Sequence, residues 1–283
     1  MINKILLGHL SYRGLLVVIF LGGYSQLVGC NIGIPLDEKT TSNSDKIIWS
    51  DDFESYENNA DLFSRGGQTL NHWYGLANGD NRGVTLTKDY AHSGNQSVLI
   101  YMKEAIKYGN ADLYLKLPLS LVENRAKRIG YEGWIAFDNF NAHRLILMCE
   151  VWTGKERHYG QGPDKLIASV VEYNGPTKTW NKEVTDKHAE FKNGHREYEH
   201  GMDVWHYFKL TCSFDENLQY SFQFDDDIWE WEDLSLYVGN HPLDYSMIEV
   251  NVRLYYPRHE QKPEGEGITA QLAVDDIALI NED

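Results

Sequence analysis

Short runs of alternating apolar and polar residues follow one another from residue 46 to the end of the chain, separated by clusters of Gly, Asn and Asp. A period of two is the pattern of β-strands that bury one face. Only residues 120–127 suggest a helix, and a short one. The pattern predicts strands over residues 46–53, 83–87, 97–103, 112–117, 129–138, 144–153, 166–173, 205–214, 218–224, 247–256 and 268–280.

This series of short strands predicts an all-β fold, a two-sheet antiparallel jelly-roll sandwich. The alternation also predicts which side chains face the core, because neighbours in a strand point to opposite faces. The predicted core positions include Leu145, Leu147, Cys149, Val151, Phe208, Leu210, Cys212, Phe214, Tyr220, Phe222, Phe224, Ile248, Val250, Val252 and Leu254.

The first 30 residues have a different pattern. Lys4 and Arg13 precede an apolar run over residues 15–23, and small residues follow it. Secretory signal peptides have this organisation: a positively charged N-terminal region, an apolar central region and small residues before the cleavage site. The run is shorter than the roughly 20 apolar residues that a membrane-spanning helix needs, so a signal peptide is the better interpretation.

The signal ends in Leu27-Val28-Gly29-Cys30, which resembles the lipobox of bacterial lipoproteins. The resemblance implies that Cys30 is lipidated and becomes the first residue of the mature chain. Asn31 follows it, where an aspartate would signal retention at the inner membrane, so the resemblance favours the outer membrane of the cell envelope. We therefore expect a signal peptide over 1–29, the lipidated cysteine and a polar tether over 30–45, and one domain over 46–283.

Composition narrows the choice of partners. The formal net charge of −16 disfavours a nucleic-acid partner, because the phosphates would be repelled. Cys149 and Cys212 lie in strand patterns and are compatible either with a disulfide or with two buried thiols. They have no metal-ligand spacing, and the histidines at 188, 195, 200 and 206 lie in a segment whose pattern suggests a polar loop.

Three fragments carry a resemblance to jelly-roll carbohydrate-binding modules and concanavalin A-like sandwiches. They are the sequences DDFE at 51–54, AHSGNQSV at 91–98 and VDDIAL at 274–279, and a tryptophan-led hairpin over 205–222 adds to them. Many such modules hold one structural calcium, so the resemblance implies Glu54, Asp275 or Asp276 and backbone oxygens of residues 93–95 as ligands. Alternatively, Asp275 and Asp276 simply cap a sheet edge.

The chain lacks the Glu-x-Asp-x-x-Glu strand of concanavalin A-like hydrolases, and it lacks the Arg-rich and Gln-x-His strands of lyases with this fold. Polar and aromatic side chains do project opposite the predicted apolar faces, where they would line a groove if the sheet is concave. The alternatives are an ordinary solvent face and a face covered by the long segment 154–204. This set comprises Glu132, Trp134, Glu150, Trp152, Lys209, Glu249, Arg253 and Tyr255.

Three functions fit these observations. The first is a lipid-anchored protein that binds a polysaccharide, since aromatic rings stack on sugars. The second is a polysaccharide lyase or glycoside hydrolase that uses Tyr255, Lys209, Arg253 and Glu150. The third is a structural or adhesive surface lipoprotein. The predicted glycan-binding residues are Trp73, Trp134, Trp152, Trp180, Tyr255, Arg253, Glu150 and Lys209.

Overall fold

The computed structural model describes residues 46–63, 70–79, 81–105, 109–122, 126–138, 143–153, 165–184, 187–240, 246–256 and 268–283. The predicted signal peptide, Cys30 and the tether lie outside these residues. No helix within the described ranges is long and apolar enough to cross a membrane.

Strands dominate the described residues, in agreement with the alternating pattern. A one-turn helix, α1, covers Asn59–Leu62, and a 3-10 turn covers Leu119–Leu121, where a short helix over 120–127 was expected. The strands are β1 (Ile47–Asp51), β2 (His72–Asn78), β3 (Arg82–Thr87), β4 (Ser97–Ala105), β5 (Gly109–Pro118), β6 (Ile129–Asp138), β7 (Arg144–Thr153), β8 (Lys165–Asn174), β9 (Thr179–Val184), β10 (Lys187–His195), β11 (Gly201–Ser213), β12 (Leu218–Phe224), β13 (Asp227–Ser235), β14 (Tyr237–Asn240), β15 (Met247–Tyr256) and β16 (Ile268–Asn281).

The strands form two antiparallel sheets, which confirms the predicted two-sheet jelly-roll sandwich. Sheet 1 has the order β13-β12-β11-β6-β16-β4-β3, and β1 pairs with β16. Sheet 2 has the order β10-β9-β8-β7-β15-β5-β2, and β14 pairs with β8. Neighbours far apart in sequence, such as β7 and β15, lie side by side, and this placement assembles the site described below.

The core lies between the sheets and contains the predicted inward faces. Leu147 and Val252 of sheet 2 and Phe208 and Leu210 of sheet 1 are fully buried in one apolar cluster. Burial of such side chains stabilises the fold by about 1.5–3 kcal/mol each. The period-two pattern therefore assigned these faces correctly.

Cys149 and Cys212 come from opposite sheets and meet in the core. Both are free thiols, and both are buried. Their side chains hydrogen-bond to each other, and this contact together with burial raises the pKa of Cys149 well above its usual range. Of the two alternatives that the sequence left open, the structure has the pair of buried thiols.

The expected polar loop containing His188 and His195 was wrong, because residues 187–195 form β10 and pair with β9. The pattern also missed β2, β9, β13 and β14. Of these five missed strands, three lie at the edge of their sheet, namely β2, β10 and β13. An edge strand has one neighbour and more contact with water, so its sequence shows a weaker apolar alternation.

Tyr220 was wrongly assigned to the core. The pairing of β12 with β11 shifts its register between Thr211 and Cys212 of β11. The pairing of β12 with β13 shifts between Gln219 and Ser221 of β12. A bulge of this kind moves the side chains beyond it to the other face. Gln219 is therefore buried, and its amide donates to the carbonyl oxygens of Thr211 and Ser221 over 3.2 and 2.8 Å.

Candidate functional site

A groove opens on the outer face of sheet 2, across strands β2, β5, β15 and β7. Its volume is about 240 Å³. Side chains at every second position of β15 and β5 point into it, as expected of residues that share one face of a sheet. The groove is lined by Leu76, Asp112, Tyr114, Lys116, Trp152, Met247, Glu249, Asn251 and Arg253.

The register of the strands places charged side chains next to one another on this face, with Glu150 beside the residues that line the groove. Glu249 of β15 lies directly opposite Glu150 of β7 on one side and opposite Lys116 of β5 on the other. Two positions further along β15, Asn251 follows, and Arg253 then lies opposite Asp112. Directly opposed residues in a sheet have Cβ atoms about 4.5–5.5 Å apart, so these groups interact.

Glu150 and Glu249 form a carboxyl pair with little exposure to water. Their residues are 8% and 9% exposed. Burial raises the pKa of Glu249 to about 8, and the neighbouring Glu150 adds to this, while Lys116, Asn251 and Arg253 act in the opposite direction. Trp152 Nε1 donates a hydrogen bond to Glu150 Oε2 over 3.0 Å. Such a donor stabilises the ionised form of a carboxyl group.

Asp112 is 1% exposed and is held by an ion pair. Arg253 Nε lies 2.6 Å from Asp112 Oδ1, and Asn110 Nδ2 also donates to the carboxylate. Burial raises the pKa of Asp112, although the guanidinium favours its ionised form. This pair fixes Arg253 against the floor of the groove.

Asn251 gives the groove an unused acceptor. Its residue is 3% exposed, and within the described part of the chain its Oδ1 accepts no hydrogen bond. A buried acceptor without a donor costs about 1–3 kcal/mol. Beside it, Tyr114 stacks on Tyr74 with ring centroids 5.1 Å apart, and Lys116 Nζ lies 5.5 Å from the Tyr114 ring.

The structure divides the predicted polar face between the two sheets. Glu150, Trp152, Glu249 and Arg253 come together on sheet 2, and Tyr255 lies on the same face one row beyond Arg253, outside the groove lining. Lys209, Glu132 and Trp134 lie instead on sheet 1, where β11 pairs with β6. Strand neighbours cannot be inferred from alternation alone, and the expectation that Lys209 joins Glu150 was therefore wrong.

The sheet 1 residues have partners of their own. Lys209 Nζ lies 2.6 Å from Glu282 Oε1 and 4.0 Å from Glu132 Oε2, and Tyr207 Oη donates to Glu132 over 2.6 Å. One face of the Trp134 ring is stacked against His92, with ring centroids 3.9 Å apart. A sugar cannot stack on that face of Trp134 while His92 covers it.

Trp73 and Trp180 are core residues rather than groove residues. Both are fully buried, and the indole of Trp73 donates to Asp51 Oδ2 over 2.9 Å. Trp180 packs against Phe222 with ring centroids 4.5 Å apart. Their predicted role in stacking on a sugar does not agree with this burial.

Two of the carboxylates expected as calcium ligands, those of Glu54 and Asp275, accept backbone N–H groups. Glu54 Oε1 accepts from the backbone N–H groups of Asn95 and Gln96, and Asp275 Oδ2 accepts from those of His92 and Ser93. The structural calcium implied by the resemblance stays a prediction, and its carboxylate ligands would also carry these hydrogen bonds. Over the described ranges no group of three or more His, Cys, Asp and Glu side chains is placed to hold a metal ion.

Three groove residues that sequence reasoning did not select lie on β5. Asp112, Tyr114 and Lys116 alternate with the buried Leu113, Leu115 and Leu117. The same period-two pattern that selected Glu150 and Trp152 was therefore present. What the sequence lacked was the information that β5 pairs with β15.

No protein-family model and no curated protein matches the chain. Among solved structures, it is similar to an endo-β-1,4-glucuronan lyase from the fungus Trichoderma reesei, with 13% identity, coverage of 75% of this chain and 92% of that chain, and a TM-score of 0.47. It is also similar to an alginate lyase from Aplysia kurodai (9% identity, 70% and 87% coverage, TM-score 0.43) and to the carbohydrate recognition domain of Emp47p (10%, 72% and 89%, 0.37).

Proposed function

We propose that the protein binds a polysaccharide in the groove on the outer face of sheet 2. Sugar-binding sites combine aromatic faces with fixed hydrogen-bonding groups, and the groove offers Trp152 and Tyr114 together with Asn251, Glu249 and Arg253. The groups are fixed because the sheet holds them in register and neighbouring side chains bond to them.

One observation carries this proposal: Asn251 lines the groove, and its buried Oδ1 atom accepts no hydrogen bond within the described residues. Buried polar groups in proteins are nearly always satisfied. A sugar hydroxyl of the polysaccharide would donate to this side chain, and the rings of Trp152 and Tyr114 would pack against the apolar faces of the sugar rings.

Affinity gel electrophoresis tests the proposal. The full chain is run through native gels that contain soluble β-glucan, xylan, galactomannan, alginate or no polysaccharide. We expect at least one polysaccharide to retard the wild type. Trp152→Ala should lower the apparent affinity calculated from that retardation at least tenfold. The matched control is Trp205→Ala, the same substitution on sheet 1, and it should bind as the wild type does.

Two results would contradict the groove as the binding site. One is a wild type that no polysaccharide in the panel retards. The other is retardation that survives Trp152→Ala and is lost in Trp205→Ala, which would assign binding to sheet 1. Equal melting temperatures of the two variants and the wild type exclude unfolding as the cause.

We also propose that a lipid on Cys30 anchors this domain to the bacterial cell envelope, at the outer membrane. The proposal rests on the lipobox-like residues 27–30 and on the polar segment after them. In cells that express the full chain, the wild type should fractionate with membranes and incorporate labelled palmitate. Cys30→Ser should do neither, whereas Cys149→Ser should behave as the wild type does.

A further inference from the structure

The Glu150–Glu249 pair has the arrangement of a catalytic pair rather than of a simple binding surface. The two residues lie directly opposite each other on adjacent strands and share the outer face of sheet 2. Their Cβ atoms are therefore about 4.5–5.5 Å apart. Retaining glycosidases hold their two carboxyl groups about 5–5.5 Å apart, a spacing that this pair can reach.

We propose that Glu150 and Glu249 hydrolyse a glycosidic bond of the polysaccharide in the groove, with retention of anomeric configuration. This inference rests on the proposed function, because a polysaccharide must first occupy the groove. The acidic pair does not stand alone: Glu249 and Asn251, two residues apart, both line the cavity, and the buried Oδ1 of Asn251 accepts no hydrogen bond within the described residues.

The surroundings give the two carboxyl groups different roles. Glu150 accepts the hydrogen bond from Trp152 Nε1, which stabilises its anion and suits a nucleophile. Burial and the Glu150 charge raise the pKa of Glu249 to about 8, so Glu249 holds its proton at pH 7 and suits the role of the acid. Two carboxyl groups with divergent environments are the usual basis of such a division.

The reaction then has two balanced steps. In the first, a Glu150 oxygen bonds to the anomeric carbon while the bond from that carbon to the glycosidic oxygen breaks, and the Glu249 proton passes to the leaving oxygen. In the second, water bonds to the anomeric carbon, gives a proton to Glu249 and displaces Glu150. The net change is one water consumed and one new reducing end, with both side chains restored.

The charges of the groove favour a neutral polysaccharide as the substrate. Arg253 is bound to Asp112, and Lys116 lies opposite Glu249. Each cation of the groove therefore has a carboxyl neighbour, and a uronate chain would bring further negative charge beside Glu150. Neutral β-glucan, xylan and galactomannan are accordingly the first probes.

The experiment uses a polysaccharide that retards the wild type and measures the release of reducing ends. We expect Glu150→Gln and Glu249→Gln each to lower the rate by at least about 100-fold, the scale of a lost acid or base, while gel retardation persists. Glu172→Gln is the control, because Glu172 is a buried glutamate of the same face, bound to Arg144 over 2.9 Å outside the groove. It should retain the wild-type rate.

A further variant separates catalysis from binding. Trp152→Phe keeps an aromatic face but removes the N–H donor to Glu150, so we expect binding to persist and the rate to fall.

Nuclear magnetic resonance of the first product should show the substrate's own anomeric configuration. Retardation without any new reducing ends would overturn hydrolysis and leave the binding function intact. An inverted first product would overturn Glu150 as the nucleophile, and the absence of any retardation would instead defeat the proposed function itself.

Discussion

Glu150 of β7 and Glu249 of β15 are directly opposed in the sheet, and both are more than nine-tenths buried. Like charges in this position destabilise a sheet, and the structure limits the cost by raising the pKa of Glu249 to about 8. The pair is thus a local destabilising feature in an otherwise apolar, well-packed sandwich. Such features are characteristic of functional sites.

The first prediction concerns the stability of the protein as a function of pH. The pKa of Glu249 is about 8 in the folded chain against an ordinary value of 4.5. Between these values the folded state holds a proton that the unfolded state has released, so the contribution of Glu249 to stability falls as the pH rises. Relative to Glu249→Gln, the wild type should lose at most about 1.4 kcal/mol per pH unit.

Urea denaturation between pH 4.5 and pH 9 measures this difference. The gap in the free energy of unfolding between Glu249→Gln and the wild type should widen up to about pH 8 and then level off. A gap that stays constant with pH would show that Glu249 titrates alike in the folded and unfolded states.

The second prediction concerns the buried Asp112–Arg253 ion pair. Arg253→Met leaves a buried carboxylate without its cation, which costs 3–5 kcal/mol in fully buried pairs. Because the Arg253 side chain is 32% exposed, we expect about 2–3 kcal/mol in urea denaturation at pH 7. The double variant with Asp112→Asn should recover most of this loss, and a double variant no more stable than Arg253→Met would contradict the explanation.

The third prediction concerns the two core cysteines. Cys149 and Cys212 are buried free thiols. In a Cys30→Ser variant kept without reductant, a thiol reagent should therefore react with no cysteine of the native protein. In denaturant it should react with both. Recovery of two groups only after reduction would reveal a disulfide between the sheets.

The fourth prediction concerns the turn that follows β3. Gly94 has a φ of +63°, and a Cβ atom there would lie 2.5 Å from Glu54 Oε1, the acceptor for Asn95 and Gln96. Gly94→Ala should destabilise the fold by at least about 1–2 kcal/mol, the cost of that backbone conformation for an L-residue. Thermal unfolding of both variants measures this loss of stability. In Gly201→Ala the nearest neighbour of the new Cβ atom is the movable end of the Asp203 side chain, so this control should lose less stability. An equal loss in the two variants would contradict this explanation.

Much of the fold was available from the sequence, because burial of one face imposes a period of two on each strand. That period correctly identified Leu147, Phe208 and Val252 as core residues. It failed at Tyr220, where a bulge shifts the register, and at the polar edge strand β10. A bulge depends on how two strands pair, and pairing leaves no periodic trace in one strand.

The sequence by itself determined the class of the fold, the inward faces and the polar residues Glu150, Trp152 and Arg253. The tertiary structure decided which of them meet: it placed Glu249 and Glu150 in register, added Asp112, Lys116 and Asn251 to the groove, and moved Lys209 and Trp134 to the other sheet. The physical reason is that alternation is local to a strand, whereas strand order depends on contacts between residues about 100 positions apart.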